Sequence, residues 1–285
     1  MLRRTLAPLV RKYGEFPTLR AMTKSRLDLL LAERGLFETR SRAAAAIMAG
    51  QVRLGTGGAR AEKPGQMVTE DMEVSVDRGP DYVSRGGVKL ANALDALGLD
   101  VSGRRALDVG ASTGGFTDVL LQRGAEQVVA VDVGYGELHW KLREDRRVTV
   151  MERVNARELD CAALPYRPAL VVADVSFISL RKVLPAVLSC TAADFDAMAM
   201  VKPQFELERG RVGKGGVVRD PADRRGALVA VGAAVEAMGH AVRGFASSGL
   251  PGPAGNRETF VWMGTQGRPG AIADLQAAAA EVEPA

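Results

Sequence analysis

LDVGASTGGFT, residues 107–117, is the stretch of sequence that decides the fold. Its apolar start predicts a buried strand, and its glycines predict a tight turn that leads into a helix. Such a turn brings the backbone close to a bound small molecule and directs the N–H groups of the helix toward it. A second apolar stretch, 127–132, ends at Asp132, 24 residues after Asp108. A nucleotide-binding βαβ unit places at about this distance the carboxylate that binds ribose hydroxyls.

The turn favours S-adenosylmethionine over NAD as the nucleoside ligand. A dinucleotide-binding turn has a central glycine that lets the backbone approach the pyrophosphate, and Ser112 takes that place here. Asp108 would repel phosphates but suits the sulfonium and ammonium groups of S-adenosylmethionine. Two alternatives remain: the turn binds NAD, or it is a structural strand–turn–helix that binds no ligand. The predicted cofactor-binding residues are Asp108, Gly110, Ser112, Gly114, Gly115, Phe116, Asp132, Asn155 and Asp174.

Composition places the chain among ordinary globular proteins. It has 285 residues, 47% of them apolar and 25% charged, and its net charge of +4 is compatible with a nucleic-acid partner. No apolar run approaches the roughly 18 residues of a membrane span. Cys161 and Cys190 do not make a disulfide scaffold, so free thiols in a reducing cytoplasm are expected. The two histidines are too few and too isolated to predict a metal site.

Strand and helix patterns alternate through most of the chain, which predicts an α/β protein with a doubly wound, mostly parallel, Rossmann-like sheet. Strands are expected at 105–109, 128–132, 148–150, 169–174, 196–201, 241–246 and 258–263. Helices are expected near 115–123, 137–144, 179–189 and 221–239. The predicted organisation is a basic leader at 1–23, a small α+β domain at 24–78, a linker at 79–88, the sheet domain at 89–266 and a tail at 267–285 that is a loose helix or disordered.

The basic leader has two interpretations. It is rich in arginine and poor in acidic residues, as a transit peptide is. Alternatively, translation starts at Met22. In either case the leader is not expected to belong to the folded domains.

Four polar residues stand where a doubly wound sheet places its active site, outside the carboxyl ends of the strands. Asp174 and Lys202 each follow an apolar strand, Glu258 precedes the last strand, and Lys89 opens the helix before the cofactor strand. An ordinary ion pair between Asp174 and Lys202 is the alternative. Charged groups gathered beside a cofactor turn favour a catalytic site.

The small domain resembles the S4-type RNA-binding domain of ribosomal proteins. The resemblance rests on RLD at 26–28, on TRSR at 39–42 followed by Ile47, Gly50 and Val52, and on KPG at 63–65; it departs from the family at 54–58. It implies that Arg26, Arg40 and Arg42 face RNA, and Arg53 on the next strand extends this basic face.

The Lys89, Asp174, Lys202 and Glu258 set resembles the tetrad of FtsJ-type RNA ribose 2′-O-methyltransferases. The motifs SRGGxKL, ADVSFISL, VKPQFE and GNxE, together with the small domain, resemble the TlyA (hemolysin A) family over residues 23–264. The resemblance implies methyl transfer from S-adenosylmethionine to the ribose 2′-hydroxyl of cytidine in ribosomal RNA, with ribosomal RNA or subunits as partners in the cytoplasm.

Three questions stay open at this level. Lys202 either accepts the hydroxyl proton or stabilises the negative charge that develops on the hydroxyl oxygen. In the second case Asp174 holds Lys202 and lies near the transferred methyl group. Asn155, after the third strand, contacts the adenine in this fold or simply caps a turn. A membrane-active hemolysin and an RNA-binding module with an inactive methyltransferase domain are the rival functions.

Overall fold

The computed structural model describes residues 23–48, 50–76 and 82–284. They form two compact units, one that includes the described residues up to Val76 and one that begins with Tyr82. The predicted leader lies outside the described residues except for Thr23. None of the helices in these ranges is both long and apolar enough to cross a lipid bilayer.

The N-terminal unit is a small α+β structure. Its elements are β1 Lys24–Arg26, α1 Leu27–Glu33, α2 Arg40–Met48, β2 Val52–Leu54, β3 Ala59–Arg60, β4 Met67–Thr69 and β5 Val74–Val76. Strand β1 pairs with β4, and β2 pairs with β3 on one side and β5 on the other, all antiparallel. The apolar faces of both helices pack on Val52 and Val68, so that Leu27, Leu31 and Ile47 are almost completely buried.

The C-terminal unit alternates strands and helices as the sequence predicts. Its helices are α3 Arg85–Leu97, α4 Gly115–Gln122, α5 Trp140–Arg143, α6 Leu180–Ser189, α7 Pro203–Glu206, α8 Pro221–Ala237 and α9 Leu275–Val282. Its strands are β6 Arg105–Val109, β7 Gln127–Asp132, β8 Val148–Glu152, β9 Leu170–Ala173, β10 Asp196–Val201, β11 His240–Ser247 and β12 Thr259–Thr265.

These strands form one sheet in the order β11-β12-β10-β9-β6-β7-β8. The pairs from β10 through β8 are parallel, while β12 runs antiparallel to both β10 and β11. Apolar side chains from both faces of the sheet are buried, Leu107 in one core and Ala106 in the other. Parallel strands are covered by helices on both faces, which explains their almost continuous apolar sequences. The predicted doubly wound α/β fold behind a small α+β unit is confirmed.

Three local expectations differ from the structure. Residues 85–88 of the predicted linker form the first turn of α3, so this helix begins before Lys89. The helix expected near 137–144 is the single turn α5, because residues 133–139 form a loop that ends in the capping side chain of His139. The tail is ordered rather than loose: α9 packs on α8, and Glu283 after it is buried in an ion pair with Arg224.

The prediction of free thiols is wrong, because a disulfide bond joins Cys161 and Cys190. Cys161 opens a short 3₁₀ helix after β8, and Cys190 directly follows α6. The segment after β8 packs on α6 and brings the two Cα atoms within 4.9 Å. The cysteines are 29 residues apart, and no local pattern in the sequence signals this packing.

Candidate active site

The turn after β6 passes very close to the end of β9. The Asp174 N–H donates to the carbonyl of Val109 (2.9 Å), so the two strand ends stay in register. Gly110 has φ +80°, and a Cβ atom there would lie 2.3 Å from the Asp174 carbonyl oxygen. Only glycine fits this position, and its small size lets the turn and Asp174 share one site.

Asp108 lies beneath the turn and is completely buried. Its Oδ2 accepts hydrogen bonds from the Thr117 N–H (2.9 Å) and hydroxyl (2.6 Å) at the start of α4. Its Oδ1 has no hydrogen-bond partner among the described residues. Burial raises the pKa of Asp108 to about 7, although the Thr117 bonds oppose the shift. A buried carboxylate with an unused oxygen is suited to a cationic ligand.

Asp132 ends β7 and connects to the turn through Ser112. Its Oδ2 accepts from the Ser112 N–H (2.7 Å) and its Oδ1 from the Gly134 N–H (2.7 Å). Ser112 has φ +45°, and its hydroxyl donates to Glu137 (3.0 Å). These bonds fix the carboxylate beside the turn and leave it further lone pairs for hydroxyl groups of a ligand.

A cavity of about 350 Å³ opens at the carboxyl ends of the parallel strands. Its walls come from the start of α3, the turn after β6, the ends of β9 and β10, and the segment before β12. All four residues that the sequence predicts as the tetrad line it: Lys89, Asp174, Lys202 and Glu258. Five of the predicted cofactor-binding residues line it too: Gly110, Ser112, Gly115, Phe116 and Asp174.

Lys89 and Glu258 form a buried ion pair on one wall of the cavity. The Lys89 Nζ donates to Glu258 Oε2, and both side chains are less than one-tenth exposed. The pair joins α3 to the segment before β12 across 169 positions of sequence. Because breaking a buried pair leaves an uncompensated charge, this wall resists rearrangement.

Lys202 and Asp174 form a second ion pair, with 2.5 Å between Nζ and Oδ1. The Lys202 Nζ also donates to the Ser176 hydroxyl at 2.9 Å. Both oxygens belong to the segment after β9. An ammonium group has three donors, so the hydrogen bond to Ser176 leaves it N–H groups for other oxygens in the cavity.

The other predicted cofactor-binding residues are not among those that line the cavity: Asp108, Gly114, Asp132 and Asn155. Gly114 packs against α5, since a Cβ atom there would lie 2.2 Å from Leu142. Asn155 Oδ1 accepts from the Arg157 N–H and caps a 3₁₀ helix, while the N–H of the preceding Val154 donates to the Asp132 carbonyl. Asn155 therefore stands near the end of β7 but not in the cavity, and its contact with an adenine stays a prediction.

Two aromatic residues of the motifs behave differently. Phe116 is buried against Phe260, with 5.7 Å between ring centroids. Phe177 is 91% exposed, has φ +63° and lies against Phe205 with 5.4 Å between ring centroids. Phe177 follows Asp174 by three residues but lines a different pocket, together with Ile178 and Phe205.

Two positioning side chains were not predicted from the sequence. Glu206 is buried and accepts from the Ser179 hydroxyl (2.6 Å) and the Leu180 N–H (2.7 Å), which ties the segment after β10 to the start of α6. Asn256 is also buried and bonds the backbone of Gly216 and Val218. Both lie in the quoted VKPQFE and GNxE motifs, but neither motif reveals which partner its side chain contacts.

The four arginines predicted to face RNA all lie in the N-terminal unit. Arg26 and Arg40 both pair with Asp28, and Arg42 pairs with Glu38 one helical turn earlier. Arg53 donates to the Gly58 carbonyl at 3.3 Å. In the part of the chain that the structure describes, no three His, Cys, Asp or Glu side chains are grouped as a metal site.

Comparison with known proteins agrees with this geometry. The family described as FtsJ-like methyltransferase matches residues 82–265, and the S4 domain matches residues 25–74. The chain is 50% identical over 245 residues to the 16S/23S rRNA (cytidine-2′-O)-methyltransferase TlyA of Mycobacterium tuberculosis, covering 85% of this chain and 91% of that one. It is 40% identical over 196 residues to Hemolysin A of Brachyspira hyodysenteriae, covering 68% and 81%.

A solved structure from Streptococcus thermophilus, described as a hemolysin candidate, superposes with a TM-score of 0.69 at 39% identity. The superposition covers 92% of this chain and 96% of that one. It therefore extends over both units of the fold. Together with the tetrad-lined cavity and the two matching domains, it shows that the chain belongs to the TlyA family of FtsJ-like methyltransferases with an N-terminal S4 domain.

Proposed function

We propose that this protein transfers a methyl group from S-adenosylmethionine to the ribose 2′-hydroxyl of cytidine in ribosomal RNA. One observation carries the proposal: the four tetrad side chains and the glycine turn line a single cavity. The M. tuberculosis relative is named for this reaction on 16S and 23S rRNA. The S4 domain and its exposed arginines support RNA as the substrate.

The residues around the turn fit the cofactor. Asp108 offers a buried carboxylate to its positive charge, and Asp132 offers acceptors for the ribose hydroxyls. Gly110 and Gly115 let the turn pack closely against Asp174 and the start of α3. When bound, S-adenosylmethionine supplies an electrophilic methyl group on a positively charged sulfur.

Lys202 is proposed to orient the substrate hydroxyl. Asp174 forms an ion pair with its ammonium group and Ser176 accepts one of its N–H groups, while another N–H is proposed to hold the ribose oxygen in line with the methyl carbon. A protonated lysine stabilises the negative charge that develops on this oxygen, so the electrostatic role fits the observed contacts better than the role of base. The hydroxyl proton is lost to water in the overall reaction.

Lys89 and Glu258 are proposed to shape the opposite wall. Their mutual ion pair is buried, so they place one positive and one negative group at fixed positions beside the substrate. Since all four tetrad side chains face the cavity, the geometry supports an active enzyme over an RNA-binding module with an inactive domain. Because ribosomal RNA is the proposed substrate, the proposed location of the protein is the cytoplasm.

A Lys202→Ala variant tests the proposal by single-turnover methylation of unmethylated ribosomal RNA and subunits at saturating cofactor. We expect the rate to fall about 10²-fold or more, with unchanged cofactor affinity, because one group that stabilises the developing charge is lost. Lys202→Arg should also fail, since a guanidinium presents its donors differently. Arg146→Ala removes an exposed cation at the opposite ends of the strands and serves as the control.

A Lys202→Ala variant that keeps most of the wild-type rate would contradict the tetrad assignment. Wild-type protein that methylates no ribosomal RNA, but releases dye from purified lipid vesicles, would favour the hemolysin alternative instead.

A further inference from the structure

Asp28 in the N-terminal unit is an acidic residue in the middle of a basic surface. It is only 3% exposed. Its Oδ1 accepts from the Arg26 Nε (3.1 Å), and its Oδ2 accepts from an Arg26 Nη (2.9 Å) and from the Arg40 Nε (2.9 Å). One carboxylate therefore holds two guanidinium groups that come from different elements, the end of β1 and the start of α2.

The two guanidinium groups remain available to a ligand. The Arg26 side chain is 46% exposed and the Arg40 side chain 52% exposed. The bonds to Asp28 engage a minority of their N–H groups, because each guanidinium carries five. The site keeps a net positive charge, since two cations share one anion.

The backbone supports this arrangement from behind. The Asp28 N–H donates to the Pro64 carbonyl (3.1 Å), which anchors the start of α1 on the KPG turn. At Gly65 of the same turn, a Cβ atom would lie 3.2 Å from an Arg26 Nη. The turn thus packs directly against the Arg26 guanidinium, and Asp28 and Gly65 confine it from two sides.

We propose that Asp28 is a positioning residue for RNA binding, which holds Arg26 and Arg40 as a fixed pair of donors for RNA phosphates. The inference rests on the proposed function, since it takes RNA as the substrate. A pre-ordered arginine pair loses less side-chain entropy on binding, and guanidinium groups bind phosphate oxygens through paired N–H bonds.

This proposal and simple charge counting predict opposite results. Removing a carboxylate from an RNA-facing surface should strengthen binding if only net charge matters. It should weaken binding if the carboxylate orders the arginines. Glu38 provides the matched control, because it pairs with Arg42 but its side chain is 77% exposed, and such surface pairs impose little order.

The experiment compares Asp28→Asn and Glu38→Gln in the full-length protein, with unmethylated ribosomal RNA as the probe. We expect Asp28→Asn to weaken RNA binding roughly tenfold, the scale of one charge-assisted hydrogen bond. Glu38→Gln should bind RNA as tightly as wild type or more tightly. Equal or tighter binding by Asp28→Asn overturns the proposal.

A double-mutant cycle separates positioning from a purely structural role. Arg26→Lys keeps the charge but cannot make the two bonds to Asp28, so it should weaken RNA binding by a similar factor. The double variant should bind RNA no more weakly than the weaker-binding single variant, because both substitutions remove the same contact between Asp28 and Arg26. Multiplied losses overturn the proposal. If Asp28→Asn fails to fold, RNA affinity unchanged in Arg26→Lys overturns it.

Failure of the proposed function gives a different pattern. Wild-type protein would then bind ribosomal RNA without methylating it, while the Asp28→Asn effect on binding would persist. Cofactor affinity, measured in the same samples, should be equal in all these variants.

Discussion

Asp108 shows how one buried side chain links the fold to ligand binding. It ends the apolar run of β6, and Thr117 at the start of α4 satisfies one of its two oxygens. Burial raises its pKa to about 7, so the protonated and ionised forms are nearly balanced at neutral pH. A cation bound near the other oxygen would favour the ionised form.

We therefore expect the affinity for S-adenosylmethionine to rise with pH. Below about pH 7 Asp108 holds a proton that cationic cofactor must displace, and above it the carboxylate is already ionised. The affinity should fall by up to about tenfold per pH unit below about pH 6, because one proton is exchanged. Calorimetry in two buffers of different ionisation enthalpy measures both the affinity and the proton release.

Asp108→Asn serves as the control, and it should bind more weakly with a flat pH profile. The stability of the protein without cofactor has the opposite pH dependence: it falls as the pH rises. An unfolded aspartate ionises near pH 3.9, so the folded state loses stability as pH rises from about 4 to about 7. Cofactor affinity that decreases from pH 6 to pH 8 would contradict the assignment.

At the scale of secondary-structure elements, the segments after β9 and β10 depend on each other. The first carries Asp174 and Ser176, and the second carries Lys202. Glu206 joins them, because it accepts from Ser179 and from the first N–H of α6. Arg181 closes the contact by donating to the Glu206 carbonyl at 3.0 Å. We therefore expect the distance between Lys202 and Asp174 to depend on the contact of Glu206 with the N-terminus of α6.

Glu206→Ala should lower the rate of methyl transfer at least about tenfold while cofactor affinity stays unchanged. The Leu180 N–H loses its buried acceptor, which costs about 1–3 kcal/mol of stability and a few degrees in Tm. Glu206→Gln keeps one acceptor oxygen and should show an intermediate rate. Single-turnover kinetics and thermal unfolding are the measurements.

Glu236→Ala, which removes an exposed glutamate from α8, is the control for that series. Loss of cofactor binding in parallel with the rate would mean that Glu206 supports the whole unit rather than the position of Lys202.

At the scale of the whole molecule, two separate units divide the work that the proposed function requires. The tetrad cavity lies entirely in the C-terminal unit, and the Asp28 arginine pair lies entirely in the N-terminal unit. RNA affinity and methyl transfer should therefore be separable by deletion.

Removal of residues 24–78 should leave cofactor binding and the melting temperature of the C-terminal unit nearly unchanged. Methylation of ribosomal RNA should be lost, because the phosphate contacts that supply most of the affinity are gone. Calorimetry with S-adenosylmethionine and a methylation assay on intact subunits provide the two readouts. Methylation at the wild-type rate would show that the S4 domain is dispensable.

Much of this architecture could be predicted from local sequence. Parallel strands buried on both faces have continuous apolar sequences, so their positions and ends are readable from the chain. Because parallel strands present their carboxyl ends at one edge, Asp174 and Lys202 were predicted to lie beside the glycine turn, and they do. Glu258 reaches the same edge since β12 runs antiparallel and begins there.

The tertiary structure alone decided which side chains pair. Four such pairs join residues that are 27 to 169 positions apart in the sequence: Glu206 with Ser179, Lys89 with Glu258, Cys161 with Cys190 and Arg224 with Glu283. Hydrophobic periodicity records which face of an element is buried, but it carries no information on which distant polar group meets it there. The pairing depends on how helices pack on the sheet and how loops cross its edge. The sequence by itself therefore determined at which edge of the sheet the functional side chains lie, and only the packed fold determined which partners hold them there.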